Sequence, residues 1–217
     1  MKQKKFNLDK YLMLAGILAF LVFFIGFFLI FPAMYKGYDI STMFISHTGA
    51  WNSPIKTIAN VLGFSLWGIL TMIFGYGVFR CKNLSKLRKI IGILLIIGGF
   101  AIYLVGIFAG EGIKGIFTTE SQIHSFLAAF PFAPIGLATF LFIFEFAINR
   151  RLRWLILPVI IIGMASLILQ YYRSTADYVL PYPGLIQRAT LGLPFLMIMI
   201  IAITLYKIQN QTQKNRK

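Results

Sequence analysis

The chain has 217 residues, of which 59% are hydrophobic and 12% charged, and its formal net charge is +15. Its mean hydropathy of +0.80 and its few charges, against about a quarter of residues in soluble domains, exclude a soluble core. The positive charge does not indicate nucleic-acid binding, because the bases sit in short clusters beside apolar stretches and form neither a basic helix face nor an aromatic platform.

Six apolar stretches follow in chain order, at about 11–31, 55–79, 90–109, 123–148, 154–171 and 185–206. Each is long enough to cross a hydrocarbon core of ~30 Å at ~1.5 Å per helical residue. The pattern predicts an all-α polytopic membrane protein, with residues 1–217 forming a single six-transmembrane-helix bundle. The first stretch follows a basic segment but is far longer than the roughly 7 to 15 apolar residues of a signal peptide, so it reads as an uncleaved anchor.

The connections alternate in charge. Lys2, Lys4, Lys5 and Lys10 precede the first stretch; Arg80, Lys82, Lys86, Arg88 and Lys89 join the second to the third. Arg150, Arg151 and Arg153 join the fourth to the fifth, and Lys207, Lys214, Arg216 and Lys217 end the chain. The positive-inside rule then places both termini in the cytoplasm and the other loops outside a cell membrane. Anionic lipid at the cytoplasmic surface attracts such clusters by about 1 kcal/mol per base, so membrane lipids are expected partners. Residues 207–217, rich in Gln, Asn and Lys, predict a flexible basic tail. Cys81 is the only cysteine, which excludes an intrachain disulfide.

The outer loops carry helix-start signals. Ser53 followed by Pro54 predicts a cap for helix two, and Thr119-Glu120-Ser121-Gln122 has the spacing of a capping box for helix four. Pro181-Tyr182-Pro183-Gly184 predicts a stiff turn before helix six. Pro131 and Pro134 inside helix four remove backbone donors and predict a kink or break. Gly106 and Gly110 have GxxxG spacing, which allows close helix packing and a homo-oligomer.

Polar chemistry concentrates on the outer side. Asp39, Ser46, His47, Asn60, Glu120, His124, Asp177 and Arg188 are the candidate ligand-binding residues. Glu120 and His124 are one helical turn apart and share a face. Imidazole and carboxylate together suit zinc, so His47, His124 and Glu120 form a candidate metal set that would activate water, although the sequence assures no cofactor. Arg188, inside a span, needs a partner: Glu111, Glu120 or Asp177, a lipid phosphate, or the interface reached by snorkelling. Glu145 is expected to pair with Arg150 or Arg151.

Ile45-Ser46-His47-Thr48-Gly49 before a second helix containing Asn60, Ile123-His124-Ser125 opening helix four and Gly184-Leu185-Ile186-Gln187-Arg188 opening helix six resemble the six-span family catalogued as domain of unknown function 998. The region of Ser46, Gly49 and Pro54 alone is similar to DRAM-type six-span proteins, linked to autophagy and lipid remodelling. Neither resemblance implies a catalytic residue. Three functions stay open on the sequence: a protein binding or sensing a lipid or small amphiphile at an outer polar site, a metal-dependent lipid hydrolase, and a transporter using the proline-broken helix.

Overall fold

The computed structural model describes residues 8–110, 118–176 and 181–214. Among the described residues six helical spans are long and apolar enough to cross a membrane: Leu8–Met34, Lys56–Arg80, Arg88–Val105, Thr119–Ile148, Arg150–Arg173 and Pro183–Gln211, here spans one to six. Span one packs against spans two and six, span two against three, three against four, and five against both four and six. Loop one and the starts of spans four and six lie at one end, the loop face. The connections bearing Arg80 to Lys89 and Arg150 to Arg153 lie at the other, the basic face.

Two spans contain π-helical turns. In span one the turn Gly26–Ile30 ends two residues before Pro32, which has no N–H to offer. The Phe31 N–H bonds to Gly26 O, so the Phe27 carbonyl has neither its α-helical donor nor a π-helical one. In span two the turn Ala59–Ser65 brings Asn60 and Ser65 against Gly106, where a Cβ would lie 2.6 Å from Asn60 O and 2.8 Å from Ser65 N. Gly106 thus serves contact within the chain, and the helix of span three ends just before it, at Val105.

Spans two and three approach more closely than side chains would allow. A Cβ on Gly99 would sit 2.8 Å from Gly68 O, and one on Gly92 would sit 2.7 Å from Gly75 O. The two pairs lie at matching positions of an antiparallel helix pair, seven residues apart on each chain segment. Bilayer lipid is as apolar as the helix surface, so this contact rests on close van der Waals packing rather than on water exclusion. Between spans one, two and six lies an aromatic core: Trp67 has its ring centroid 4.8 Å from Phe23 and 4.5 Å from Phe195, and all three are buried.

Several local expectations need correction. Span four starts one residue earlier than the Thr119-to-Gln122 spacing suggests: Thr118 is the cap, Ser121 N donates to Thr118 Oγ1 at 3.0 Å and Thr118 N donates to Ser121 Oγ at 2.9 Å. Ser53 Oγ accepts from Ile55 N at 3.3 Å, as a start signal for span two should, and its hydroxyl donates to Thr48 O at 2.6 Å, but the helix itself begins later, at Lys56 after Ile55. Glu145 makes no ion pair with Arg150 or Arg151. It is fully buried and accepts from Ser85 N at 2.8 Å and Ser85 Oγ at 2.6 Å, tying span four to the connection before span three. The predicted tail is helical from Lys207 to Lys214, anchored where buried Gln209 donates to Cys81 Sγ at 3.4 Å. The helix of span four is interrupted at Phe130 and Pro131, between Thr119–Ala129 and Phe132–Ile148.

Candidate functional site

Three polar segments that are distant in sequence meet at the loop face. Loop one turns at Asp39, whose carboxylate accepts from Ser41 N at 2.9 Å, Ser41 Oγ at 2.6 Å and Thr42 Oγ1 at 2.6 Å. Those hydrogen bonds, the Ser41 hydroxyl foremost, hold the Asp39 carboxyl down to about 2. The turn aims the loop-one carbonyls at the first turn of span six, where orphan backbone donors await partners. Gly184 N and Leu185 N donate to Ser41 O at 2.9 and 3.2 Å. The loop passes so close that a Cβ on Gly184 would meet the carbonyl oxygens of Ile40, Ser41 and Met43 at 2.5 to 2.9 Å.

Arg188 locks this clasp. It is fully buried, so it does not snorkel. Its Nη1 donates to Ile40 O at 3.0 Å, Met43 O at 2.9 Å and Gly184 O at 3.0 Å, its Nε donates to the freed Phe27 carbonyl at 3.2 Å, and its Nη2 donates to the Tyr38 hydroxyl. Tyr38 Oη in turn lies 2.8 Å from Phe44 O as a donor. Burial raises the Tyr38 phenol above its ordinary pKa, opposed by the Arg188 charge. Gln187 Oε1 accepts from Ile45 N at 2.8 Å, fixing the short 3-10 turn Ile45–Gly49 that carries Ser46 and His47. Asn60 Nδ2 donates to Gly49 O at 3.0 Å.

Among the described residues no carboxylate forms an ion pair with Arg188. Glu120 is engaged elsewhere, accepting from Ala109 N at 2.7 Å; Glu111 and Asp177 lie outside the described residues. Among the described residues the partners of Arg188 are backbone carbonyls and the Tyr38 hydroxyl. The candidate metal set does not assemble: among the described residues no three of His, Cys, Asp and Glu gather closely enough to hold an ion. His47 sits against Phe44, centroids 5.6 Å apart. Burial, with the Arg188 charge second, pushes its imidazole below the ordinary histidine range. Its Nδ1 is buried without a partner, as is Asn60 Oδ1.

Next to the clasp lies open space. Spans four and six both pack on span five but hardly meet each other, and between the three is a cavity of about 780 Å³, within the ~300–1,000 Å³ range of small-molecule pockets. Its side toward the loop face is lined by Ser46, His124, Gln170, Arg173 and Gln187; its side toward the basic face is apolar, with Ile143, Val159 and Phe195. Along span five the lining runs from Val159 to Arg173, about 21 Å at ~1.5 Å per residue. The wall is also bilayer-facing: Leu137, Phe140, Met164 and Leu167 line the cavity and are exposed, which opens it sideways between spans four and five. Gly136 and Gly163 line it from those two spans, and a Cβ on either would meet nothing within 4 Å.

Three lining side chains carry buried polar atoms without partners: Trp67 Nε1, His124 Nε2 and Gln170 Oε1. His124 Nδ1 lies 2.7 Å from Phe108 O, so this nitrogen holds the donor hydrogen and Nε2 is the acceptor of the neutral ring. Sequence reasoning did not single out Trp67 as a site residue. The signal was its depth: Trp51 and Trp154 flank spans, as interfacial tryptophans do, whereas Trp67 falls near the middle of span two.

Six helices with lipid-facing apolar surfaces around a laterally open cavity define a multi-pass integral membrane protein of the helical-bundle class. The chain belongs to the family described as protein of unknown function (DUF998), whose model matches residues 13–204 and so takes in the clasp and the cavity. No curated protein and no solved structure matches it.

Proposed function

We propose that this protein binds a membrane lipid or a similar amphiphile in the cavity between spans four, five and six. The observation that carries this reading is the polarity gradient of a laterally open cavity. Its deep end is mostly apolar, with Ile143, Val159 and Phe195, and the Thr139 hydroxyl there is spent on Ile135 O. Its loop-face end offers a serine, a histidine, two glutamines and an arginine. An amphiphile entering sideways from the bilayer would keep its chain at membrane depth and bring its polar group to the loop-face end, where small side-chain shifts would open His124 Nε2 and Gln170 Oε1 to it, buried atoms whose unmet hydrogen bonds cost roughly 1–3 kcal/mol each.

The clasp has a supporting role in this reading. It holds Ser46 at the rim through the Ile45–Gln187 bond and seals the bundle beside the cavity. The basic clusters would place the loop face outside the cytoplasm of the cell membrane, so the polar mouth would lie in the outer leaflet.

Filling the cavity tests the proposal. Gly136→Leu with Gly163→Leu adds side chains where a Cβ meets open space, so the fold should tolerate them. Lipid extraction and mass spectrometry on gently purified protein should find an amphiphile near one per chain in the wild type and its loss in the filled variant. A second readout is Trp67 emission in a Trp51→Phe/Trp154→Phe background, which bilayer lipid with brominated acyl chains should quench in the wild-type cavity and not in the filled one. Identical lipid content and identical quenching in both proteins would defeat the reading.

A further inference from the structure

A second, separate groove of about 490 Å³ lies at the basic face, between the start of span five and the end of span six. Span six contributes Ile200, Ile203, Thr204, Lys207 and Ile208, at positions i, i+3, i+4, i+7 and i+8, which form one helical stripe. Arg151 and Trp154 face that stripe from span five. Arg151, Trp154 and Lys207 are exposed, and the only ion pair among the described residues is the one between Arg80 and Asp9 at 2.8 Å. Two cations without an acidic partner therefore stand at the mouth of a groove whose floor is isoleucine. From Lys207 to Ile200 the stripe descends about 10 Å at ~1.5 Å per residue, a path from the interface into the hydrocarbon.

We propose that this groove is a binding site for an anionic phospholipid, with its phosphate between Arg151 and Lys207 and the upper part of one acyl chain along Ile200, Ile203 and Ile208. A guanidinium matches phosphate oxygens through its planar fork, and an ammonium adds a second positive charge. Trp154, amphipathic and exposed, sits at the level where an indole favours the headgroup boundary. Basic pockets between helix ends on the positively flanked side are suited to acidic headgroups. A zwitterionic lipid has the same chain but brings its own cation to the two bases, so the charge complementarity selects an acidic headgroup. The cavity of the preceding section shares none of these residues, and either site can be lost while the other remains.

Native mass spectrometry of the full chain, with equimolar phosphatidylglycerol and phosphatidylcholine added in mild detergent, tests the site. Phosphatidylglycerol adducts should predominate, and Arg151→Gln with Lys207→Gln should weaken their binding roughly thirtyfold, in keeping with about 1 kcal/mol for each base, with phosphatidylcholine adducts unchanged. Arg151→Lys with Lys207→Arg, which keeps both charges, should retain most of the occupancy. Lys82→Gln with Lys86→Gln removes the same charge from the same face and should leave it as in the wild type. Equal loss in that control pair would mean diffuse surface attraction and would overturn the proposal. So would full displacement of phosphatidylglycerol by millimolar inorganic phosphate, which would reduce the groove to a site for free anions.

Discussion

Arg188 shows how backbone carbonyls can satisfy a buried cation: among the described residues it bonds to four of them and to the Tyr38 hydroxyl. The π turn at Gly26–Ile30 and the missing N–H of Pro32 free one carbonyl in span one, and the sharp turn at Asp39 presents the others from loop one. Arg188→Met should leave the Ile40 and Met43 carbonyls without this donor and destabilise the protein by about 3 kcal/mol or more. Lysine cannot span the same set, because one ammonium does not reproduce a guanidinium fork, so Arg188→Lys should recover only part of the loss. Tyr38→Phe removes one bond to a charged group and should cost about 1.5–3 kcal/mol. Thermal unfolding in detergent reads the stability, and the rate of tryptic cleavage after Lys36 reads the loosening of loop one. Wild-type melting and cleavage in Arg188→Met would mean the clasp does not hold the loop. That Arg188 needs partners was legible in the sequence, since an arginine in a span is costly; that the partners are backbone carbonyls was not, because every residue carries one.

At the scale of elements, the tightest contact in the bundle is the glycine register between spans two and three. Gly68→Ala or Gly99→Ala would push a methyl group into the backbone of the opposite helix, which no rotamer change relieves. Each should destabilise by about 1–3 kcal/mol or more, whereas Gly136→Ala, facing open space, should change the melting temperature little. Comparable melting of Gly68→Ala and Gly136→Ala would count against the register. The six spans were readable because hydropathy follows from composition along one segment, and the interruption at Pro131 followed from proline's missing donor. The spacing of seven between Gly68 and Gly75, and between Gly92 and Gly99, is also present in the sequence, but unlike GxxxG it marks no contact until the two helices are paired. The cavity could not be read in this way. It is the space left where spans four, five and six diverge, a property of three helices together and of no residue in any one of them. Ser46 and His124 were singled out for other reasons and lie on its wall, while Trp67 and Gly163 acquire meaning only once the helices are placed.

For the whole molecule, the two grooves acquire distinct biological settings only if the bundle has a fixed orientation. The cavity between spans four, five and six has its polar side chains toward the loop face, and the Arg151–Lys207 groove opens at the basic face. If the basic face is cytoplasmic, the first samples the outer leaflet and the second the inner leaflet, where anionic lipid gives the surface its negative potential. Cys81 is buried beneath Gln209, and burial raises its thiol above the ordinary range, so a Cys81→Ser background offers a clean start for single-cysteine mapping. Lys36 and Lys86 are exposed, at the loop face and the basic face respectively. A membrane-impermeant maleimide should label Lys36→Cys in intact cells and should reach Lys86→Cys only after permeabilisation. The opposite pattern would invert the molecule: the histidine and glutamines of the cavity would then face the inner leaflet, and the paired cations of the second groove would lie away from the negative potential of the cytoplasmic surface.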